Sequence, residues 1–333
     1  MALRVAVLGA GSWGTALAIL LARNGHAVTL WGRDGATMAA MAKSRRNGRY
    51  LPDAQIPDSV QTTASLADAL AEADMVLVVV PSRAFRGTLE QVARARPGPI
   101  ELVWGTKGFD PESGDLLHQV AGAIQPQDSK LSVLSGPTFA GEIAAQLPAA
   151  VTIASADSDF AARMATAFHN SRFRVYSSED VVGVQTAGAV KNVLAVAAGI
   201  ADGLGFGANT RAALITRGLA EIVRLGVALG GRMETFMGLA GLGDLVLTCT
   251  DNQSRNRRFG LALARGLGVE EAVVSVGQVV EGAETTRQAM AAGERLGIEL
   301  PIVEQVYRVI YDKRPPLAAV SALLARPPSQ EGA

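Results

Sequence analysis

The sequence predicts an α/β domain built on a doubly wound sheet, followed by an all-α C-terminal domain. Three observations lead there. Short apolar runs alternate with helix-like segments through the first half. A glycine triplet follows the first of those runs directly. Near residue 178 the pattern changes to long Ala/Leu/Val-rich segments with few strand signals. The chain has 333 residues, about twice the usual domain length, so two domains are the natural reading. Residues 1–177 form the expected sheet domain and 178–333 the mostly helical one, with a tight join inside 172–182.

The elements follow in order. Residues 3–8 (LRVAVL) are an apolar run ended by glycine, as in a buried strand. A helix is predicted over 13–24, broken by Asn24-Gly25, with His26 as a turn residue before a strand at 27–31. Further strands are expected at 75–80, 100–104, 131–134, 150–154 and 173–177, and alternation with helices implies parallel pairing. In the second half, helices are predicted over 180–203, 210–230, 255–266, 283–296 and 301–311, and the tail 325–333 is expected to fray.

Composition bounds the function. Hydrophobic residues make up 49% and charged residues 19%, enough for a packed core. Lys+Arg and Asp+Glu are both 31, which argues against a general nucleic-acid binder but leaves room for a local basic pocket. One cysteine, Cys249, excludes a disulfide framework and is read as a small buried residue. The histidines His26, His118 and His169 are scattered, so no metal site is expected. The apolar N-terminus is broken by Gly9, Gly11 and Gly14, unlike a secretory signal, and no apolar run reads as long enough for a bilayer. The expectation is a cytoplasmic protein without membrane insertion.

Gly9-Ala10-Gly11-Ser12-Trp13-Gly14 matches G-x-G-x-x-G between a strand and a helix, the context in which this pattern binds a dinucleotide. Gly9 permits the tight turn, Gly11 lets a pyrophosphate approach, and Gly14 lets helix and strand pack closely. The amides of Ser12 and Trp13 open the helix toward the phosphates. The first domain is therefore Rossmann-type. Strand two ends Trp31-Gly32-Arg33-Asp34: a small residue and then a base where NAD-selective sites carry an acid. This favours NADPH. Asp34 leaves two readings, a helix cap or a ribose ligand that admits NADH.

Four more segments place polar groups after strands or among small apolar residues. Lys107, in Trp104-Gly105-Thr106-Lys107-Gly108, follows a strand and so lies where such sheets bind ligands. Ser135-Gly136-Pro137-Thr138-Phe139-Ala140-Gly141-Glu142 also follows a strand, with amides and a hydroxyl suited to an anion or the cofactor. Lys191-Asn192 sits in a helix otherwise made of Ala, Val and Gly, where a lysine needs a partner. Asp244 and Thr248 share a face if helical, and Ser254, Arg255 and Asn256 open a helix suited to a phosphate. The same residues admit blander readings: a snorkelling Lys191, an Arg255–Asp251 surface pair, Asp244 as a helix cap. Arg257-Arg258 reads as a solvated helix face.

With these blocks in hand, the chain resembles the bacterial NAD(P)-dependent glycerol-3-phosphate dehydrogenases. The resemblance rests on GAGSWGTALA, WGTKG, SGPTFAGE, AGAVKNVLAVAAGIADGLGFGANTRAALITRGL, GLAGLGDLVLTCTDNQSRNRRFG and VVEGAETT, in order from residue 9 to about 287. It implies reversible reduction of dihydroxyacetone phosphate to sn-glycerol 3-phosphate for phospholipid synthesis. It implies Lys191 as proton donor and acceptor, Lys107 as a second cation touching cofactor and substrate, and Asp244 as the partner of Lys191. It implies substrate contacts from Gly136, Thr138, Asn192, Thr248, Ser254, Arg255 and Asn256. Ala140, Val279, Glu281 and Arg255 are implied at the cofactor, and a homodimer is implied for the assembly. Asp34 stands where many members carry a second base or His, which leaves NADPH against NADH undecided.

The chemistry is coherent by itself. Hydride reduction of a ketone makes an alkoxide that must be neutralised as it forms, and an ammonium supplies the proton. Burial and Lys107 lower the pKa of Lys191 while Asp244 raises it, and the sequence does not fix the balance. Two rivals remain at this level: a dehydrogenase of the same build acting on a 3-hydroxy or sugar acid, and a dinucleotide sensor without catalysis. Lys107, Lys191 and Asp244 as a set weigh against the sensor.

Overall fold

The computed structural model describes residues 2–327, and the end of the tail expected to fray lies outside them. The chain divides into two compact units, Met1–Thr106 with Asp115–Val181, and Lys107–Gly114 with Val182–Ala333.

In the first unit the elements run β1 (Arg4–Leu8), α1 (Ser12–Arg23), β2 (Ala27–Trp31), α2 (Gly35–Ser44), β3 (Arg46–Asn47), β4 (Leu51–Gln55), β5 (Val60–Thr63) and α3 (Leu66–Leu70). They continue β6 (Met75–Val78), α4 (Ser82–Ala95), β7 (Glu101–Trp104), α5 (Leu117–Ile124), β8 (Lys130–Ser135), α6 (Ala140–Ala144), β9 (Ala149–Ala154), α7 (Ser158–Phe168) and β10 (Phe173–Ser178). Eight strands make one sheet in the order β10-β9-β8-β7-β6-β1-β2-β5, and β3 and β4 form a separate antiparallel pair. The strand order reverses beside β1, which is where open sheets of this kind bind ligands.

The expectation of uniformly parallel strands needs one correction. β8 and β9 pair antiparallel, Leu134 opposite Ile153, whereas the neighbouring β9–β10 and β7–β8 pairs are parallel. The connection between Ser135 and Ala149 holds only the five-residue α6, near the lower limit of about a dozen residues for a parallel crossover, so the chain turns back instead. Three short elements were not foreseen, because β3, β4 and β5 are polar or interrupted by Pro52. The central strands are apolar on both faces, since helices cover both: Val5 and Val7 but also Ala6 and Leu8 of β1, and Met75 and Leu77 but also Val76 and Val78 of β6, are buried. His26, expected only as a turn residue, is buried there. Its Nδ1 accepts from the Leu3 amide at 3.0 Å and its Nε2 lies 2.9 Å from the Ala167 carbonyl.

The second unit is helical. α8 (Val181–Gly203) and α9 (Ala208–Ala228) precede α10 (Met233–Met237), a π-helical turn at Leu239–Gly243, and α11 (Asp244–Thr250). Then come α12 (Arg255–Ala264), α13 (Val269–Val276), α14 (Glu281–Leu296), α15 (Pro301–Ile310) and α16 (Pro316–Leu324). Contrary to the sequence reading, α8 is long and apolar enough to cross a membrane, with a mean hydropathy of 1.4. Every residue from Gly183 to Ala201 is nevertheless buried inside the protein, so α8 is the core around which this unit packs. That placement explains its small residues. At Gly199 a Cβ would lie 2.1 Å from the Arg257 carbonyl of α12.

Glu221 on α9 is 2% exposed and its carboxylate accepts from the amides of Ile302 (2.7 Å) and Val303 (3.2 Å), free donors at the start of α15. Burial pushes this carboxyl up to about 7, against the pull of those two bonds. Glu221→Ala strips both buried amides of their acceptor and opens a cavity. The expected cost is about 2–4 kcal/mol, read as a thermal midpoint lowered by roughly 5–10 °C.

Candidate active site

In the first unit the glycine turn joins β1 to α1. Gly9 has φ +124°, and a Cβ there would meet the Val79 carbonyl at 2.4 Å; a Cβ on Gly14 would sit 1.9 Å from the Gly9 carbonyl. Those two glycines are required by the protein itself. A Cβ on Gly11 would meet no heavy atom within 4 Å. It would project into open space at the mouth of α1, where no side chain caps the helix start at Ser12 and Trp13. Open space beside uncapped amides fits a dinucleotide pyrophosphate. Asn47, which the sequence reading missed, holds the turn from beneath: its Nδ2 donates to the Ala10 carbonyl (3.0 Å) and to Thr15 Oγ1 (2.8 Å). The signal was a lone Asn in a polar stretch, with nothing to tie it to residue 10.

At the end of β2 Asp34 is a helix cap. Its carboxylate accepts from the Thr37 amide at 2.7 Å and caps α2, and that bond holds its pKa below the ordinary carboxylate range. Arg33 beside it is exposed. Gly32 is crowded: a Cβ would lie 2.6 Å from Met38 Sδ and 3.0 Å from Ala10 Cβ, so a larger residue there requires Met38 to move. In the same unit Gly136 (φ +155°) and Thr138 follow β8, and Ala140 opens α6.

The charged residues converge in the second unit. Lys191, on the buried face of α8, is 6% exposed. Its Nζ donates to Asp244 Oδ1 (2.7 Å) and to Thr248 Oγ1 (2.7 Å). Lys107 Nζ donates to the other carboxylate oxygen, Asp244 Oδ2, at 2.6 Å. Asp244 and Thr248 do share a face of α11, and the Thr248 hydroxyl donates to the Asp244 carbonyl at 2.6 Å. One carboxylate therefore sits between two ammonium groups. Burial lowers Lys191 to about 8, helped by the charge of Lys107 and opposed by Asp244. Burial alone would raise Asp244, but the two lysines together take it below the ordinary range. Asp244 is presented by the π-helical turn at Leu239–Gly243, an irregularity common at functional sites.

Beside this cluster lies a second polar group. Ser254 caps α12, with Oγ accepting from the Arg257 amide (3.2 Å). Asn256 Nδ2 donates to Asn192 Oδ1 (2.9 Å), and Asn256 Oδ1 accepts from the Gly282 amide (2.9 Å). Asn192 Nδ2 is buried without a partner among the described residues, a costly orphan donor that suits an acceptor atom on a bound molecule. Arg255 is half-buried and bears electrostatically on Glu281, the first residue of α14. Burial raises the Glu281 carboxyl, against the pull of Arg255, Lys107 and Lys191. Val279 is half-buried in the segment just before α14.

Cys249 is buried, and burial pushes its thiol up to about 12, consistent with an inert core residue. Arg257, expected on a solvated face, is 7% exposed and fully engaged, and only its neighbour Arg258 is exposed.

A dinucleotide-type glycine turn on one unit and a buried lysine–carboxylate cluster on the other are the parts of a nicotinamide-dependent oxidoreductase. Residues 4–161 match the family model for the N-terminus of NAD-dependent glycerol-3-phosphate dehydrogenase, and residues 180–321 match the model for its C-terminus. The chain therefore belongs to the NAD-dependent glycerol-3-phosphate dehydrogenase family. It is 58% identical over 322 residues to a protein of Thioalkalivibrio sulfidiphilus named glycerol-3-phosphate dehydrogenase (NAD(P)+), covering 97% of each chain. It is 55% identical over 323 residues to the protein of that name from Pseudoalteromonas translucida, covering 97% of this chain and 96% of that one. Among solved structures, glycerol-3-phosphate dehydrogenase from Coxiella burnetii is similar with a TM-score of 0.95 and 46% identity, over 98% of this chain and 99% of that one.

Proposed function

We propose that this protein catalyses the reversible NAD(P)H-dependent reduction of dihydroxyacetone phosphate to sn-glycerol 3-phosphate, with Lys191 as the general acid and base. The observation that carries the reading is the buried Lys191 ammonium, aimed by Asp244 and Thr248 and lowered to about 8. When bound, the nicotinamide supplies the hydride. Lys191 Nζ gives its proton to the oxygen on the reacting carbon, and in the oxidation direction takes it back. With a pKa near 8 the ammonium predominates at pH 7, yet the neutral amine is present at roughly a tenth of the total, so one residue serves both directions. Asp244 fixes the ammonium's direction, and Lys107 adds positive charge where the alkoxide develops. Arg255, with Ser254 and Asn256, binds the phosphate, and the Asn192 amide meets a substrate oxygen.

The first unit holds the dinucleotide through Gly9, Gly11, Ser12, Trp13, Gly14 and Arg33, with Ala140 also at the cofactor and Gly136 and Thr138 toward the substrate. Lys107, Arg255, Val279 and Glu281 complete the cofactor contacts. The product enters phospholipid synthesis, the enzyme works in the cytoplasm, and two copies form a homodimer. A spectrophotometric assay tests the reading. NADPH with dihydroxyacetone phosphate is expected to lose its nicotinamide absorbance, and an unchanged trace removes the proposal.

NADPH is the preferred cofactor in this reading, because a glycine and no acid stands at position 32, Asp34 caps α2, and Arg33 stays exposed at the strand end. Arg33→Glu is expected to raise the KM for NADPH about 10–100-fold, the value of one charged hydrogen bond, while the KM for NADH changes little. Equal effects on the two cofactors contradict the assignment of Arg33 to the 2′-phosphate.

A further inference from the structure

We infer that the buried Asp202–Arg257 pair is a positioning device for the turn that receives the substrate phosphate; the inference rests on the reading of Ser254, Arg255 and Asn256 given above. Arg257 is the third residue of α12, two positions beyond Arg255, so the two side chains leave opposite sides of the helix. Arg255 bears on Glu281, whereas the Arg257 guanidinium runs behind the turn. There it ties three places together. Nε donates to the Cys249 carbonyl at the end of α11 (3.1 Å). Nη1 donates to Asn252 Oδ1 within the turn. Nη2 donates to Asp202 Oδ2 in the last turn of α8 (2.5 Å). Asp202 is held in its turn by Arg211 of α9, at 2.9 and 2.8 Å to its two oxygens.

Asp202 follows Lys191 by three turns of α8, about 16 Å along one face. The same helix therefore presents the proton-transfer group and, through Asp202–Arg257, anchors the turn that presents the anion donors. The Asn192–Asn256 bond makes a second attachment between the same two elements. A buried ion pair adds little net stability over well-packed apolar side chains. What it supplies that they do not is direction: several donors in a rigid fork fix the turn in orientation as well as in depth. Asp202 and Arg257 touch neither substrate nor cofactor in this reading; they act through Ser254, Arg255 and Asn256.

The test compares Arg257→Lys, which keeps the charge but loses the fork, with the double variant Asp202→Leu/Arg257→Met, which removes the buried pair and leaves only the half-buried Arg211, 30% exposed, to turn to solvent. The measurements are the KM for dihydroxyacetone phosphate, the competitive Ki of inorganic phosphate, kcat, and the pH profile of kcat. KM and Ki are expected to rise together by tenfold or more in both variants. kcat is expected to stay within about threefold, with its break near pH 8 unmoved. A fall in kcat at constant KM and Ki, a shifted pH break, or values all near those of the parent overturn the inference. If Arg257→Lys does not fold, the double variant decides. A parent protein that does not turn over dihydroxyacetone phosphate removes the functional reading instead, and phosphate affinity measured by calorimetry then reads the turn directly.

Discussion

Lys191→Met is expected to lower kcat for reduction about 10²–10⁴-fold, the usual loss when a positioned proton donor is removed. Methionine keeps the length and apolar packing of the side chain on α8 and takes away only the ammonium. The fold should therefore persist, and near-normal turnover in a folded variant ends the assignment. The parent's pH dependence supplies an independent check. Reduction needs Lys191 charged, so its rate is expected to be level below about pH 8 and to fall above it. Oxidation needs it neutral, so that rate is expected to rise with pH and level off above the same point. The signs are opposite because one proton is given in one direction and taken in the other. Both breaks vanish in Lys191→Met if this group is their source.

Asp244→Ala is the second large effect, and it acts on stability as well as rate. The substitution leaves the buried Lys191 ammonium, beside the half-buried Lys107 ammonium, around a missing carboxylate. Stranding a buried charge costs about 3–5 kcal/mol. Asp244→Asn is the milder probe because the side-chain shape survives. Loss of the negative charge removes what holds Lys191 up and leaves burial and Lys107 to push it down, so its pKa falls. The pH break for reduction accordingly moves to lower pH, and kcat/KM at pH 8 drops by about 10². A break that stays in place, or moves upward, shows that the carboxylate does not set the lysine's protonation.

Much of this was legible in the chain because the signals were local. A strand, three glycines and a helix within residues 4–23 carry their own geometry, and a lysine among Ala, Val and Gly advertises a buried partner. The partner itself was harder. Asp244 lies 53 residues from Lys191, and only the family resemblance tied the two before their 2.7 Å contact was seen. Strand direction was not written in residues 131–134 and 150–154, since an apolar run reads the same either way. Arg257 was misread because two adjacent arginines at a helix start look like a wetted face. Which of them turns inward depends on Asp202, which arrives from another helix. Asp34 was ambiguous for a related reason: cap and ribose ligand ask for the same side chain, and the sequence does not show the bond from the Thr37 amide that makes it a cap.

The placement of Lys107–Gly114 with the second unit has a consequence for how this protein can be cut and recombined. A gene fragment starting at residue 182 encodes the helices but omits the amine that sits 2.6 Å from Asp244 Oδ2. A chimaera of two relatives spliced once, at the 181/182 junction, would draw that amine from one parent and its carboxylate from the other. Swapping whole helical halves intact therefore takes three crossovers, at 106/107, 114/115 and 181/182.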